Sequence, residues 1–201
     1  MRRGDKRRQS ILTALHDCVI EQGYSNTTLA DIARAAGMSP SHLLYYFQGT
    51  NAILAQYFAD VAQRIVERIN GISSETPARQ IQLLADLFFA GKGITKSEIG
   101  FMLECFGVAV HDKQLHHEKA ALDRECKDYL RRLFEQSPCG PSNARSFAEL
   151  AYAMLVGLRT AAYFDQSLAP HKARKLFYLE MMRLADLPMP TAVRKTPRKR
   201  P

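Results

Sequence analysis

Residues 27–54 read TTLADIARAAGMSPSHLLYYFQGTNAIL, and the punctuation of this stretch decides the fold. Thr27 or Thr28 offers a side-chain oxygen to the free N–H groups of a first helix. Leu29, Ile32 and Ala33 recur at helical spacing, which gives that helix one apolar face. Ala35, Ala36 and Gly37 end it. The alanines permit close approach, and Gly37 can take the positive φ that a sharp reversal needs. Ser39 caps a second helix, and Pro40 sits at its first position, where a missing N–H costs nothing. This helix is short, from Ser41 to Phe47. Leu43, Phe47 and either Leu44 or Tyr46 face inward. Ser41, His42 and Tyr45 are left pointing outward, toward a partner.

Two helices across a glycine turn make a helix-turn-helix, whose second helix can enter the DNA major groove. An ordinary helix pair inside a bundle has the same pattern, so residue order must separate the two. Here T-x-x-D-I-A-x-x-A-G-M-S is followed by L-x-x-Y-F and then A-I-L. This order resembles the DNA-binding segment of the tetracycline-repressor (TetR) family of bacterial transcription factors. The resemblance runs from Gln9 to Ala59, with the capping threonine, Asp31, Ala33, Ala36, Gly37, Ser39, Tyr46 and Phe47 all in register. It implies DNA contacts from Thr27, Thr28, Ser39, Pro40, Ser41, His42, Tyr45, Tyr46 and Thr50. Two positions depart from the family. Its members usually carry Tyr where this chain has Leu44 and Lys where it has Thr50, and both commonly touch phosphates. Leu44 cannot donate a hydrogen bond, and Thr50 donates only without charge. Tyr45 is the neighbouring phenol left to make the first contact.

The chain has 201 residues, 46% of them hydrophobic and none Trp, enough for one or two domains with a sizeable core. Nothing approaches eighteen consecutive apolar residues, so no membrane span is expected. The opening MRRGDKRRQS leads into polar helix rather than an apolar run, which argues against a secretory signal. Cys18, Cys105, Cys126 and Cys139 are widely spaced and form no C-x-x-C pair. Reduced thiols in a cytoplasm fit that spacing, with Cys18 and Cys105 in core-like contexts.

The net charge of +8 is uneven. Arg2, Arg3, Lys6, Arg7 and Arg8 face only Asp5 at the start. Arg194, Lys195, Arg198, Lys199 and Arg200 face no acid at the end, so the body between is near neutral. An N-terminal arm of residues 1–8 can reach phosphates or the adjacent minor groove. A merely solvated terminus is the alternative, and the tail at 188–201 reads as basic and disordered.

In chain order, helices are expected over Gln9–Gln22, the helix-turn-helix at about 28–47, then from Thr50 or Asn51 as cap to about Asn70. Gly71-Ile72-Ser73-Ser74 follows as a break. Pro77–Ala90, Lys96–Val110, Leu115–Gln136, Ser142–Phe164 and Pro170–Leu187 complete an all-α fold of about nine helices. The division is a DNA-binding domain at 1–50, a connecting helix at 51–70 and a second domain at 75–187. Gly91-Lys92-Gly93 fails as a phosphate loop, because no Gly precedes at the right distance and no Ser or Thr follows Lys92.

The helices from Ser142 and from Pro170 carry apolar residues on more than one face. Their excess argues for a symmetric dimer through residues 142–187, as the resemblance also implies. The alternative is that both lie wholly in the core. The resemblance further implies a small-molecule effector in the second domain. Candidates for its lining are Phe88, Phe101, Met102, Cys105, Phe106, Tyr129, Tyr152 and Met154, with Glu104 and His111 as polar anchors; such a ligand would be largely apolar. His111, Asp112, His116, His117 and Glu118 invite a metal reading. Adjacent His116 and His117 point about 100° apart on a helix, so a solvated helix start is the better reading. No G-x-S-x-G, H-E-x-x-H or dinucleotide fingerprint occurs, so neither an enzyme nor a cofactor is expected. The expected function is a homodimeric, effector-released repressor on a palindromic site. The alternatives are a small helical enzyme or ligand carrier and a sequence-blind basic DNA-coating protein.

Overall fold

The computed structural model describes residues 3–90 and 96–189, with the side chains of Arg3 and Lys96 excepted. These residues form nine α-helices, one 3-10 turn and no strand. In order they are α1 (Arg3–Gln22), the 3-10 turn Tyr24–Asn26, α2 (Leu29–Ala35), α3 (Pro40–Leu44), α4 (Thr50–Gly71), α5 (Pro77–Phe89), α6 (Lys96–Ala109), α7 (Lys113–Glu135), α8 (Pro141–Phe164) and α9 (Pro170–Leu184).

Several boundaries differ from the sequence expectation, each for a local reason. α1 begins at Arg3 rather than Gln9, so the basic stretch is helix and not a free arm. Arg, Lys and Gln are good helix formers, and Asp5 in the first turn complements the helix dipole. The cap of α4 is Gly49 at φ 125, with no side-chain bond, so Thr50 is already helical. α7 starts at Lys113 because Asp112 Oδ1 accepts from Leu115 N at 2.9 Å. α9 stops at Leu184; Asp186 takes φ 55 and Leu187 N donates back to Met182 O at 3.0 Å. The basic tail from residue 190, with its arginines and lysines, lies outside the described residues, as do Arg2 and Gly91-Lys92-Gly93.

One continuous apolar core runs from α1 to α9. Along α4, Ile53, Leu54, Phe58, Val61, Ile65 and Ile69 are all buried, so a single helix lines both halves of the molecule. Phe101 of α6 is sealed against α1 and α4, its ring 4.5 Å from Tyr57 and 5.6 Å from His16. α6 also approaches α8 closely. A Cβ at Gly100 would stand 2.7 Å from the Tyr163 hydroxyl, so a side chain there would require the Tyr163 ring to move aside. Across the far side, Arg174 of α9 pairs with Asp86 of α5 at 2.6 Å.

The α4–α5 connection is fixed by a buried glutamine. Gln80 Nε2 donates to Ser73 O at 3.1 Å and Glu75 O at 2.7 Å, and its Oε1 accepts from Tyr129 Oη at 2.7 Å. Burial pushes the Tyr129 hydroxyl well above its ordinary pKa, so it remains a donor throughout the working range. Gln80→Leu strips partners from two carbonyls and one hydroxyl, and is expected to cost roughly 2–3 kcal/mol in urea melts. Tyr129→Phe removes only one donor and should cost about 1 kcal/mol. A leucine variant as stable as the wild type would show these bonds to be idle.

Candidate nucleic-acid interface and effector cavity

The reading head is built from its caps. Thr28 Oγ1 accepts from Asp31 N at 3.2 Å, and Thr28 N donates to Asp31 Oδ2 at 3.1 Å, closing a capping box at the start of α2. Hydrogen bonds from the Thr28 hydroxyl and then its backbone hold the Asp31 carboxyl below the usual carboxylate range. Arg34 pairs with Asp31 at 3.3 Å, which leaves α2 without a free charge. Gly37, at φ 66, reverses the chain, while Met38 N donates to Ala33 O at 2.9 Å. Ser39 Oγ then accepts from His42 N at 3.2 Å, with Pro40 at the first helical position.

α3 is five residues long, continued by one tight turn in which Tyr46 N donates to Leu43 O at 2.8 Å. Leu43 and Phe47 are buried and Tyr46 is half-buried, so Tyr46 rather than Leu44 takes the inward place left open by the sequence. Leu44 is 49% exposed and adds an apolar group to the outer face. Ser41, His42 and Tyr45 are exposed, Tyr45 at 83%. The rings of His42 and Tyr45 flank that of Tyr46, at 5.5 and 5.3 Å. Aromatic contact therefore restricts two of the three outward side chains.

Not every candidate is free to meet DNA. Thr27 is buried and its hydroxyl donates to Gly23 O at 2.8 Å, so it serves the turn before α2. Thr28 is exposed but engaged in its capping box, and Thr50 is half-buried at the start of α4. Arg8 is docked: Nη1 donates to Tyr46 O at 3.2 Å, and its guanidinium lies 4.5 Å above the Phe47 ring. A cation there also suits the carbonyl end of α3. Lys6 is exposed and Arg7 half-buried on the same helix; Arg2 and the Arg3 side chain lie outside the described residues.

In the second half a cavity of about 50 Å³ lies among α4 to α8. Of the residues named from sequence, Phe88, Met102, Phe106 and Tyr152 line it, together with Ile65, Ile99, Leu103, Leu122, Cys126, Leu155, Val156, Arg159 and Thr160. Phe101 and Cys105 are sealed elsewhere in the core, and Met154 sits half-buried on another face of α8. Tyr129 borders a second void of about 10 Å³. Glu104 and His111 are exposed and border an open groove with Tyr24, Asn51 and Asp112, so they cannot anchor a ligand in the cavity. Sequence reading missed Arg159, although it is the lone charge between Leu150 and Phe164.

The groove ties the two halves together. Tyr24 N donates to Glu104 Oε2 at 3.3 Å, Tyr24 Oη donates to Asn51, and Asn51 Nδ2 donates to Asp112 Oδ2 at 3.0 Å. The turn before α2 and the start of α4 are thus bonded to α6 and to the cap of α7. Asp112 belongs to this link rather than to a histidine cluster.

Residues 11–57 match the family model described as "Bacterial regulatory proteins, tetR family", and residues 77–182 match "BetI-type transcriptional repressor, C-terminal". The HTH-type transcriptional regulator BetI 1 of Chromohalobacter salexigens is 26% identical over 178 residues, covering 86% of this chain and 87% of that protein. With the BetI regulator of Serratia proteamaculans the alignment spans only 58% of that protein's length. Among solved structures, a transcriptional regulator from Rhodococcus sp. Rha1 superposes with TM-score 0.80 at 16% identity, over 90% of this chain and 99% of the other. A regulator from Saccharomonospora viridis, solved in complex with choline, gives TM-score 0.75 at 16% identity, over 89% and 96% of the two chains. These are regulators and not enzymes. The second model alone spans more than half of this sequence, and the chain belongs to the TetR family of bacterial transcriptional regulators.

Proposed function

We propose that the protein is a homodimeric repressor in the cytoplasm, which holds a palindromic operator and releases it when a small molecule enters the α6–α8 cavity. The observation that carries this reading is the outward trio Ser41, His42 and Tyr45 on a helix capped at one end and clamped by Arg8 at the other. Hydroxyl, imidazole and phenol can read base edges by hydrogen bonds, and Leu44 can meet a thymine methyl. With Arg34 paired to Asp31, affinity draws on helix N-termini, hydroxyls and the cations of α1.

The dimer reading rests on α8 and α9. Leu150, Ala153 and Gly157 are exposed at spacings that put them on one side of α8, and Leu176 of α9 is 47% exposed. The small residues allow a second α8 to approach closely. A two-fold pair then presents two α3 helices about one DNA turn apart, roughly 34–36 Å or somewhat more. Coupling to the cavity runs through α6, which lines it with Met102 and Phe106 while Phe101 and Glu104 grip α1, α4 and the turn at Tyr24. A ligand that displaces α6 pulls on those grips and changes the spacing of the reading helices.

Selection of random DNA fragments with the intact protein should enrich one palindrome. The His42→Ala and Tyr45→Ala variants should each lose about 1–3 kcal/mol of preference for it over random DNA. Equal, steeply salt-dependent binding to all fragments would instead mark a sequence-blind coating protein. Sedimentation should find a dimer, and Leu150→Glu should shift it to monomer with a matching loss of operator affinity; a wild-type monomer would overturn the two-fold model.

A further inference from the structure

The cavity lining contains one charged group, Arg159, and its surroundings are unusual. No salt bridge to it is formed among the described residues, although the charge of the Glu98 carboxylate favours its protonated form. Its Nε is sealed from solvent and has no hydrogen-bond partner. The other cations nearby do have partners: Lys119 pairs with Asp123 at 2.5 Å, and Lys127 with Glu149 at 2.6 Å. The Tyr152 hydroxyl is also occupied, donating to Asp123. Burial lowers the Arg159 pKa to about 10, which still leaves it charged at neutral pH. A sealed Nε–H without an acceptor costs free energy, because a buried donor left unsatisfied is unfavourable.

The aromatic walls add a further observation. Each of the three rings that line the cavity already carries one of the protein's own cations. Arg159 lies 5.4 Å from the Phe88 centroid, Lys119 4.7 Å from Phe106, and Lys127 5.5 Å from Tyr152. A quaternary ammonium needs free ring faces or a carboxylate, and the one charged group lining this cavity is the Arg159 guanidinium. A cation such as choline, with which the Saccharomonospora viridis regulator was solved, would share the cavity with that guanidinium.

We infer that the effector of this protein is a small monocarboxylate with a compact apolar body, its carboxylate held by Arg159 and its body by Phe88, Met102, Phe106 and Leu122. Thr160, next to Arg159 on the same helix, also lines the cavity. Size follows from the void. By the same measure a water needs about 10–15 Å³, so about 50 Å³ holds only a few heavy atoms before the walls move. The void of about 10 Å³ shares Phe88, Cys126 and Leu155 with the cavity and is also bordered by Tyr129 and Phe177. This inference rests on the effector-controlled reading above and narrows its ligand from a largely apolar molecule to an anionic one.

Acetate, propanoate and 3-methylbutanoate form the probe set, with propanamide as the neutral isostere of propanoate and choline as the cationic rival. Calorimetry and thermal shifts on the intact protein should show at least one carboxylate binding, propanamide about tenfold or more weaker than propanoate, and choline inert. Arg159→Met should abolish carboxylate binding while leaving the melting point of the free protein unchanged or raised, and Arg159→Lys should retain part of the binding. If the methionine variant does not fold, the propanoate–propanamide contrast on the wild type carries the test. Choline binding with every carboxylate inert would overturn the inference and leave effector control standing. No binding from either set, with operator binding intact, would overturn both effector proposals and leave the DNA-binding reading untouched.

Discussion

A helix of five residues cannot hold itself. Nucleating one turn fixes several dihedrals for a single hydrogen bond, so an isolated α3 would be almost entirely unfolded. Everything that positions Ser41, His42 and Tyr45 must therefore come from outside the helix. Leu43 and Phe47 drive into the core shared by α1, α2 and α4. Ser39 and Pro40 set the entry. Arg8 closes the exit, one guanidinium bonding the Tyr46 carbonyl and covering the Phe47 ring. The basic start of α1 thereby acts as a brace for the reading helix, a role distinct from that of a loose arm around DNA.

The same economy of partners runs through the second half. Several charges there are matched, by i to i+4 pairs on α7 or by contacts between helices such as Arg174–Asp86. The rings around the cavity are matched as well, each to a resident cation. Against that background the sealed and unpartnered Nε of Arg159 stands alone among the described residues. The hydrogen bonds from Tyr24 and Asn51 to Glu104 and Asp112 link this half to the reading head through polar contacts at an exposed groove. Exposed bonds of this kind exchange with water at little cost, whereas the apolar contacts of Phe101 do not. The junction can therefore shift without unfolding.

Much of the reading head was legible in the sequence because its determinants are local. The threonine cap with Asp31 three residues on, the glycine at the reversal, and Ser39 before Pro40 are all read within a few positions. Asp112 as the cap of α7 carried the same kind of signal and was overlooked, so that helix starts two residues before the expected Leu115. The docking of Arg8 was not legible, since its partner lies 38 residues away and nothing local distinguishes it from Arg7. Thr27 and Thr28 are interchangeable on paper; only the fold buries the first and exposes the second. The cavity was partly legible as an aromatic set, but which rings line it depends on how α6 rotates against α4 and α8. Periodicity does not resolve that rotation in a helix that is apolar on most sides.

Native-state hydrogen exchange tests the bracing of α3 most directly. The amides of Leu43, Tyr46 and Phe47 donate to Ser39 and Leu43 carbonyls. In the DNA-free protein they should exchange only through openings comparable to those of α2, and Arg8→Ala should speed exchange at Tyr46 and Phe47 while sparing the core of α4. Exchange of these three amides at the rate of an unstructured peptide would mean that the helix is not held before DNA arrives, and would contradict the account.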